Sequence, residues 1–336
     1  MSTPYLDGVR AQADNLRRSA DVVAAALSGG IGSRMVETVR RGLTLTCGMG
    51  ASTHAAVGFA AVLRAAGRPA IAGSAADLAA GVPAGLAATV LGVSQSGRSR
   101  ETVEALAAAP GETGRLALTN DPGGPLAVIA DAVLPLGCAQ DTAVTTLSYT
   151  ATLQALGLLA DRVTGRSSAD WRDLPGLAEA VLGMDVAPLV EVLSTADSVD
   201  VVASGVRAAT AGAVALLLRE AAHLPSAHFT TREYLHGPVE TAGPRRTVLL
   251  FGADREVPLA AELAGYGADV VLITDIRGEL SAHPRLRVLR LPPAGGLAGC
   301  VLDILPVQLA AHSLAERAGR TIELRHMPAD TKLAAS

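Results

Sequence analysis

Short apolar runs alternate with longer stretches of helical periodicity through most of this chain, and that alternation restricts its fold more than any other feature. Apolar runs at 43–47, 69–72, 89–93, 116–119 and 133–136 read as strands, with helices over 52–66, 100–108 and 144–163. The order then repeats, with strands at 198–203, 247–251, 269–274 and 286–291 and helices over 208–222, 259–263 and 300–318. Strands linked through helices pair in parallel, because a parallel neighbour needs a crossover connection. The spacing predicts two α/β domains, each a doubly wound parallel sheet flanked by helices, over 35–165 and 175–320, with a polar linker at 164–173. A helical pattern over 6–27, ended by Gly29, Gly30 and Gly32, gives an N-terminal arm over 1–34, and 321–336 forms a C-terminal tail.

With 336 residues the chain is long enough to bury the cores of two ordinary domains. Hydrophobic residues make up 49% and aromatic residues only 2%, so Ala, Val and Leu must fill those cores. A net charge of −4, no basic cluster and few rings for base stacking argue against nucleic acid as a partner. No apolar stretch reaches the length of a membrane span without an interruption, and no secretory leader is evident, so no membrane association is expected. Cys47, Cys138 and Cys300 are widely spaced and form no CxxC pair, which suits a reducing cytoplasm. His54, His223, His228, His236, His283, His312 and His326 form no HExxH pair or dense cluster, so neither a metal nor an organic cofactor is expected.

Chemistry can be sought first where strands give way to helices. Gly48-Met49-Gly50-Ala51-Ser52 follows a strand and opens a helix, where backbone N–H groups are free to meet an anion. Thr53 stands where a dinucleotide fingerprint needs its third glycine, and a purely structural turn is the alternative. Ser94-Gln95-Ser96-Gly97-Arg98-Ser99 concentrates three hydroxyls and an amide after the 89–93 strand; it suits a phosphate, or else a serine-rich turn capped at Ser99. Glu220, on an apolar helix beside Arg219, is either a base raised by burial or half of an ion pair. His236, before Gly237-Pro238, either moves protons or fixes a turn. Lys332 is the only lysine in a chain whose other basic side chains are all arginine. It is either a chance survivor or a residue kept because an amine can lose its proton and act as a nucleophile.

Taken together, Ser94-Gln95-Ser96-Gly97 and the Arg219-Glu220 helix followed by Glu233-Tyr234-Leu235-His236-Gly237-Pro238 resemble the sugar isomerase (SIS) domain family. The resemblance runs over about 42–332 and lies nearest the isomerase half of glucosamine-6-phosphate synthase and stand-alone glucosamine-6-phosphate deaminase-like proteins. It implies two tandem SIS domains and a sugar phosphate held by Ser52, Ser94, Gln95, Ser96 and Ser99, with Gly50 and Thr145 also at the substrate. It also implies Glu220 as the proton-transfer base, His236 as the ring-opening residue supplied across a homodimer interface, and Lys332 on an active-site tail as an imine-forming amine. Two departures stand out: Leu147 and Leu217 occupy positions where the family often has lysine.

The second residue is Ser2, not the cysteine of a glutaminase domain, so nitrogen transfer from glutamine is not expected. The expected activity is isomerisation with deamination of an amino-sugar phosphate such as glucosamine 6-phosphate, giving a ketose phosphate and ammonia. Alternatives are a fructosamine-6-phosphate deglycase-type enzyme and a non-catalytic sugar-phosphate sensor.

Overall fold

A computed structural model describes residues 4–166 and 170–334; Ser2 and positions 167–169 of the expected linker lie outside the described residues. The chain divides into two compact units, each assembled from separated segments.

The first unit takes its described residues from Ala11–Asp141, Leu147–Pro175 and Arg325–Ser336. Its strands are β1 (Thr44–Gly48), β2 (Ala70–Ala72), β3 (Thr89–Val93), β4 (Gly114–Thr119) and β5 (Ala132–Pro135). They form one parallel sheet in the order β2-β1-β3-β4-β5. Every residue of β1 and β3 is buried, as central parallel strands covered on both faces must be. The helix Leu147–Thr164 begins three residues later than the periodicity predicts, because the Asp141 carboxylate accepts the Ser148 N–H at 2.7 Å and its hydroxyl at 2.6 Å. Trp171, on the helix Asp170–Leu182, lies so close to Gly157 that a Cβ there would meet its ring at 2.0 Å; its indole N–H donates to Asp161 at 2.9 Å.

The N-terminal pattern is not one helix. It breaks at Ala11 into Tyr5–Arg10 and Gln12–Ser28, and Gly29 is extended before a further helix, Gly30–Arg40. Gly32 permits that tight return, since a Cβ there would lie 2.2 Å from the Leu27 carbonyl oxygen.

The second unit takes its described residues from Met1–Arg10, Thr142–Thr146 and Gly176–Leu324. Its strands are β6 (Ser198–Ala203), β7 (Ser226–Thr230), β8 (Arg246–Phe251), β9 (Asp269–Thr274) and β10 (Leu286–Arg290), all parallel, in the order β10-β9-β8-β6-β7. Numbered within its own half, each sheet runs 2-1-3-4-5. The helix Gly296–Arg317 is long and apolar enough to cross a membrane by length and composition, yet 78% of its apolar window is buried inside the protein. On it, Asp303 is fully buried and pushed up to about 6 by that burial, opposed by Arg207, whose Nε donates to it at 3.1 Å.

Candidate functional site

A parallel sheet of order 2-1-3-4-5 opens a crevice where connections leave its first and third strands in opposite directions. In the first unit that crevice lies beyond the carboxyl ends of β1 and β3, whose last residues, Gly48 and Val93, are register partners. Gly48 is needed there, because a Cβ would lie 2.8 Å from both the Val93 carbonyl oxygen and Ser52 Cβ. The turn continues through Gly50 at φ 56° into the helix Ala51–Ala65, with Thr53 Oγ1 donating to the Gly48 carbonyl at 2.6 Å. Gly50 and Ser52 thereby stand beside the loop that leaves β3.

That loop is tightly folded. Gly97, at φ 65°, turns the chain so that its N–H donates to the Ser94 carbonyl at 3.0 Å, and a Cβ on it would meet Thr119 Oγ1 at 2.9 Å. The Ser94 hydroxyl donates to Ser99 Oγ at 3.1 Å, Ser96 Oγ accepts the Arg98 N–H at 3.3 Å, and the Gln95 carbonyl accepts the Asn120 N–H at 2.9 Å. Ser99 precedes the helix Arg100–Ala107 but its side chain does not cap it, so the capping alternative does not describe this hydroxyl. The fold thus gathers Gly50, Ser52, Ser94, Gln95, Ser96 and Ser99 at one crevice, where hydroxyls and helix N-termini suit an anion.

The C-terminal tail reaches the same loop. Lys332 is extended and forms an isolated antiparallel bridge with Ser99, and the Leu333 N–H donates to the Arg98 carbonyl at 2.9 Å. The Leu333 side chain packs on the apolar core of this unit, while Lys332 is exposed. The only lysine is thereby fixed, by its backbone, against the serine loop.

Glu220, His236 and Thr145 belong to the second unit. The helix predicted over 208–222 is α-helical only through Ala208–Leu217; Leu218–Ala222 widens into a π-turn, a local irregularity often found at functional positions. Glu220 lies in that turn, its carboxyl raised above the ordinary glutamate range by desolvation and partly restored by Arg219. His223 ends the turn at φ 53°, and Arg320 contacts its ring while donating to the Ala222 carbonyl at 2.7 Å. His236 is exposed, with its N–H donating to the Glu233 carbonyl at 3.0 Å, and Thr145 is half-buried. Leu147 and Leu217 are both core residues, so each departure from lysine fills apolar space in its own unit.

Sequence reasoning did not anticipate the contacts of Arg98 and Arg100 with the tail, nor a polar cluster at the matching crevice of the second sheet. There the buried Glu256 carboxylate accepts from the Ser204 and Thr231 hydroxyls. Its signal was the position of 252–256 directly after a strand.

Comparison with curated proteins finds the isomerizing glutamine–fructose-6-phosphate aminotransferases. The chain is 28% identical over 226 residues to that of Aeropyrum pernix, covering 62% of this chain and 37% of the relative. It therefore spans well under half the length of the curated relative it matches. Among solved structures, the C-terminal domain of glucosamine-fructose-6-phosphate aminotransferase from Francisella tularensis gives a TM-score of 0.83 at 16% identity, covering 96% of this chain and 98% of that one. Glucosamine-6-phosphate deaminase from Thermotoga maritima gives 0.78 at 19% identity, over 97% and 98%. At such identities the structural likeness is one of fold. No family model matches the chain.

Proposed function

This chain belongs to the SIS (sugar isomerase) domain family, and from that premise we propose that it is an enzyme of two tandem SIS domains that isomerises and deaminates an amino-sugar phosphate such as glucosamine 6-phosphate. The observation that most supports the reading is the bridge that fixes the single lysine at Ser99, within the serine loop. An amine there can lose its proton and form an imine, chemistry that a sensor holding only a phosphate does not use.

In this reaction Ser52, Ser94, Gln95, Ser96 and Ser99, with Gly50, hold the phosphate, and Thr145 contacts the sugar. His236 moves the proton that opens the ring to the aldehyde. Glu220 removes the C2 proton and returns it to C1, while a proton from the substrate nitrogen passes to O1, leaving a C1 alcohol and a C2 imine. The neutral amine of Lys332 adds at C2, ammonia leaves, and water then releases the ketose phosphate and regenerates the amine. These steps need no metal or organic cofactor.

Incubation with glucosamine 6-phosphate is expected to release ammonia and fructose 6-phosphate in equal amounts. If neither forms while the sugar phosphate binds, deamination of this substrate is wrong and the fructosamine deglycase and sensor readings move ahead. In the same proposal His236 acts from a second copy of the chain. Mixing Glu220→Ala and His236→Ala subunits should then restore part of the activity, and verified heterodimers with none would remove the shared site.

A further inference from the structure

Lys332 is fixed only by its backbone and its neighbours in sequence, and two of those tethers are arginine side chains from the serine loop. Arg98 Nη1 donates to the Ala334 carbonyl at 3.0 Å, and Arg100 Nε donates to the Asp330 carbonyl at 2.8 Å. The two bonds bracket Lys332. Arg98 is itself anchored, since Asp121 accepts from its Nη2 at 3.2 Å and the Arg98 N–H donates to Ser96 Oγ at 3.3 Å. Its carbonyl also accepts the Leu333 N–H at 2.9 Å. One residue of the loop therefore touches a candidate phosphate ligand at its backbone nitrogen and the tail at both its carbonyl and its guanidinium.

We propose that Arg98 and Arg100 form a latch that holds the C-terminal tail to the serine loop, so that a phosphate in the loop and the placement of the Lys332 amine stabilise each other. The proposal rests on the sugar-phosphate reading above and adds two positioning residues to it. Neither arginine takes part in bond making. Because coupling is reciprocal, a ligand that orders the loop must also tighten the tail.

The composition supplies a direct test. An endoproteinase that cuts only after lysine has one site in this chain, the Lys332–Leu333 bond, so under conditions where the chain stays folded its cleavage rate reports release of the tail. Loss of two hydrogen bonds from charged donors is expected to raise cleavage of Arg98→Gln/Arg100→Gln by on the order of tenfold or more over the unsubstituted chain. Inorganic phosphate, which can occupy the loop without forming an imine at Lys332, should slow cleavage of the unsubstituted chain and protect the double variant less. Turnover should show the matching division, with kcat reduced and KM changed much less, and borohydride trapping of the fructose 6-phosphate imine at Lys332 should be slower.

Equal cleavage rates in the two proteins would overturn the latch. Faster cleavage with unchanged kcat would overturn its positioning role. Should the double variant not fold, Arg100→Gln alone removes the Asp330 tether and, besides that, only a surface contact to Glu104 at 3.8 Å. The cleavage assay needs no turnover, so a chain that neither turns over nor traps any sugar phosphate defeats the functional reading while the comparison of cleavage rates still decides the latch.

Discussion

Replacing Glu220 with glutamine is expected to lower kcat by about 10²- to 10⁴-fold, the range for removal of a positioned proton-transfer group, while leaving the protein at least as stable at neutral pH. The two effects have one cause. Burial holds this carboxyl above its ordinary range, with Arg219 opposing it only in part. Between the unfolded and folded pKa the native state binds more protons than the unfolded chain, so the stabilising contribution is complete below the unfolded value and is lost as pH rises through the folded one. Glutamine carries no charge and removes that loss. Comparing denaturant unfolding at neutral and at mildly acidic pH should show the variant's advantage at neutral pH shrinking on acidification. For the active chain, the acid limb of kcat should lie above the ordinary glutamate range of about 4.3. A Glu220→Gln protein that is less stable at neutral pH and fully active would identify Glu220 as a structural ion-pair partner.

Lys332→Ala should abolish imine trapping with fructose 6-phosphate and reduce deamination by at least about 10²-fold. Because the chain has no other lysine, no second side-chain amine can take over. Lys332→Arg should be equally poor: it keeps a positive charge, but a guanidinium does not lose its proton to become a nucleophile. Thermal stability should be unaffected in both, since the lysine side chain is exposed and the tail is tied by backbone groups and by Leu333. Recovery of turnover in Lys332→Arg would show that charge, not imine chemistry, is what the position supplies.

Where a segment's structure follows from its own residues, the sequence makes it legible. The strands predicted at 89–93, 198–203 and 269–274 coincide with β3, β6 and β9, because buried parallel strands are written as continuous apolar runs. β7 leaves no apolar run in the sequence because it pairs only with β6, has no fully buried residue and carries a histidine, His228. The helices Asp170–Leu182 and Ala187–Ser194 are hidden in the sequence because a polar stretch introduces them. Among candidate site residues, the serine loop and Lys332 could be picked out by type, but their meeting could not. Arg98 and Ala334 are 236 positions apart, and nothing local at either end records the bond between them. The π-turn that carries Glu220 is equally silent in the sequence, since it is held from outside by Arg320, 98 residues from the carbonyl it binds.

The interleaved descent of the two units has a consequence for dissection. The chain leaves one unit and re-enters it repeatedly, so no single cut yields a complete half. A fragment ending near 166 would carry the helix Tyr5–Arg10 away from Gly296–Arg317, the helix it packs against, and would also lack the tail that bridges Ser99. Separate expression of halves, domain shuffling and split-protein reassembly would each have to deal with five passages of the chain between the units.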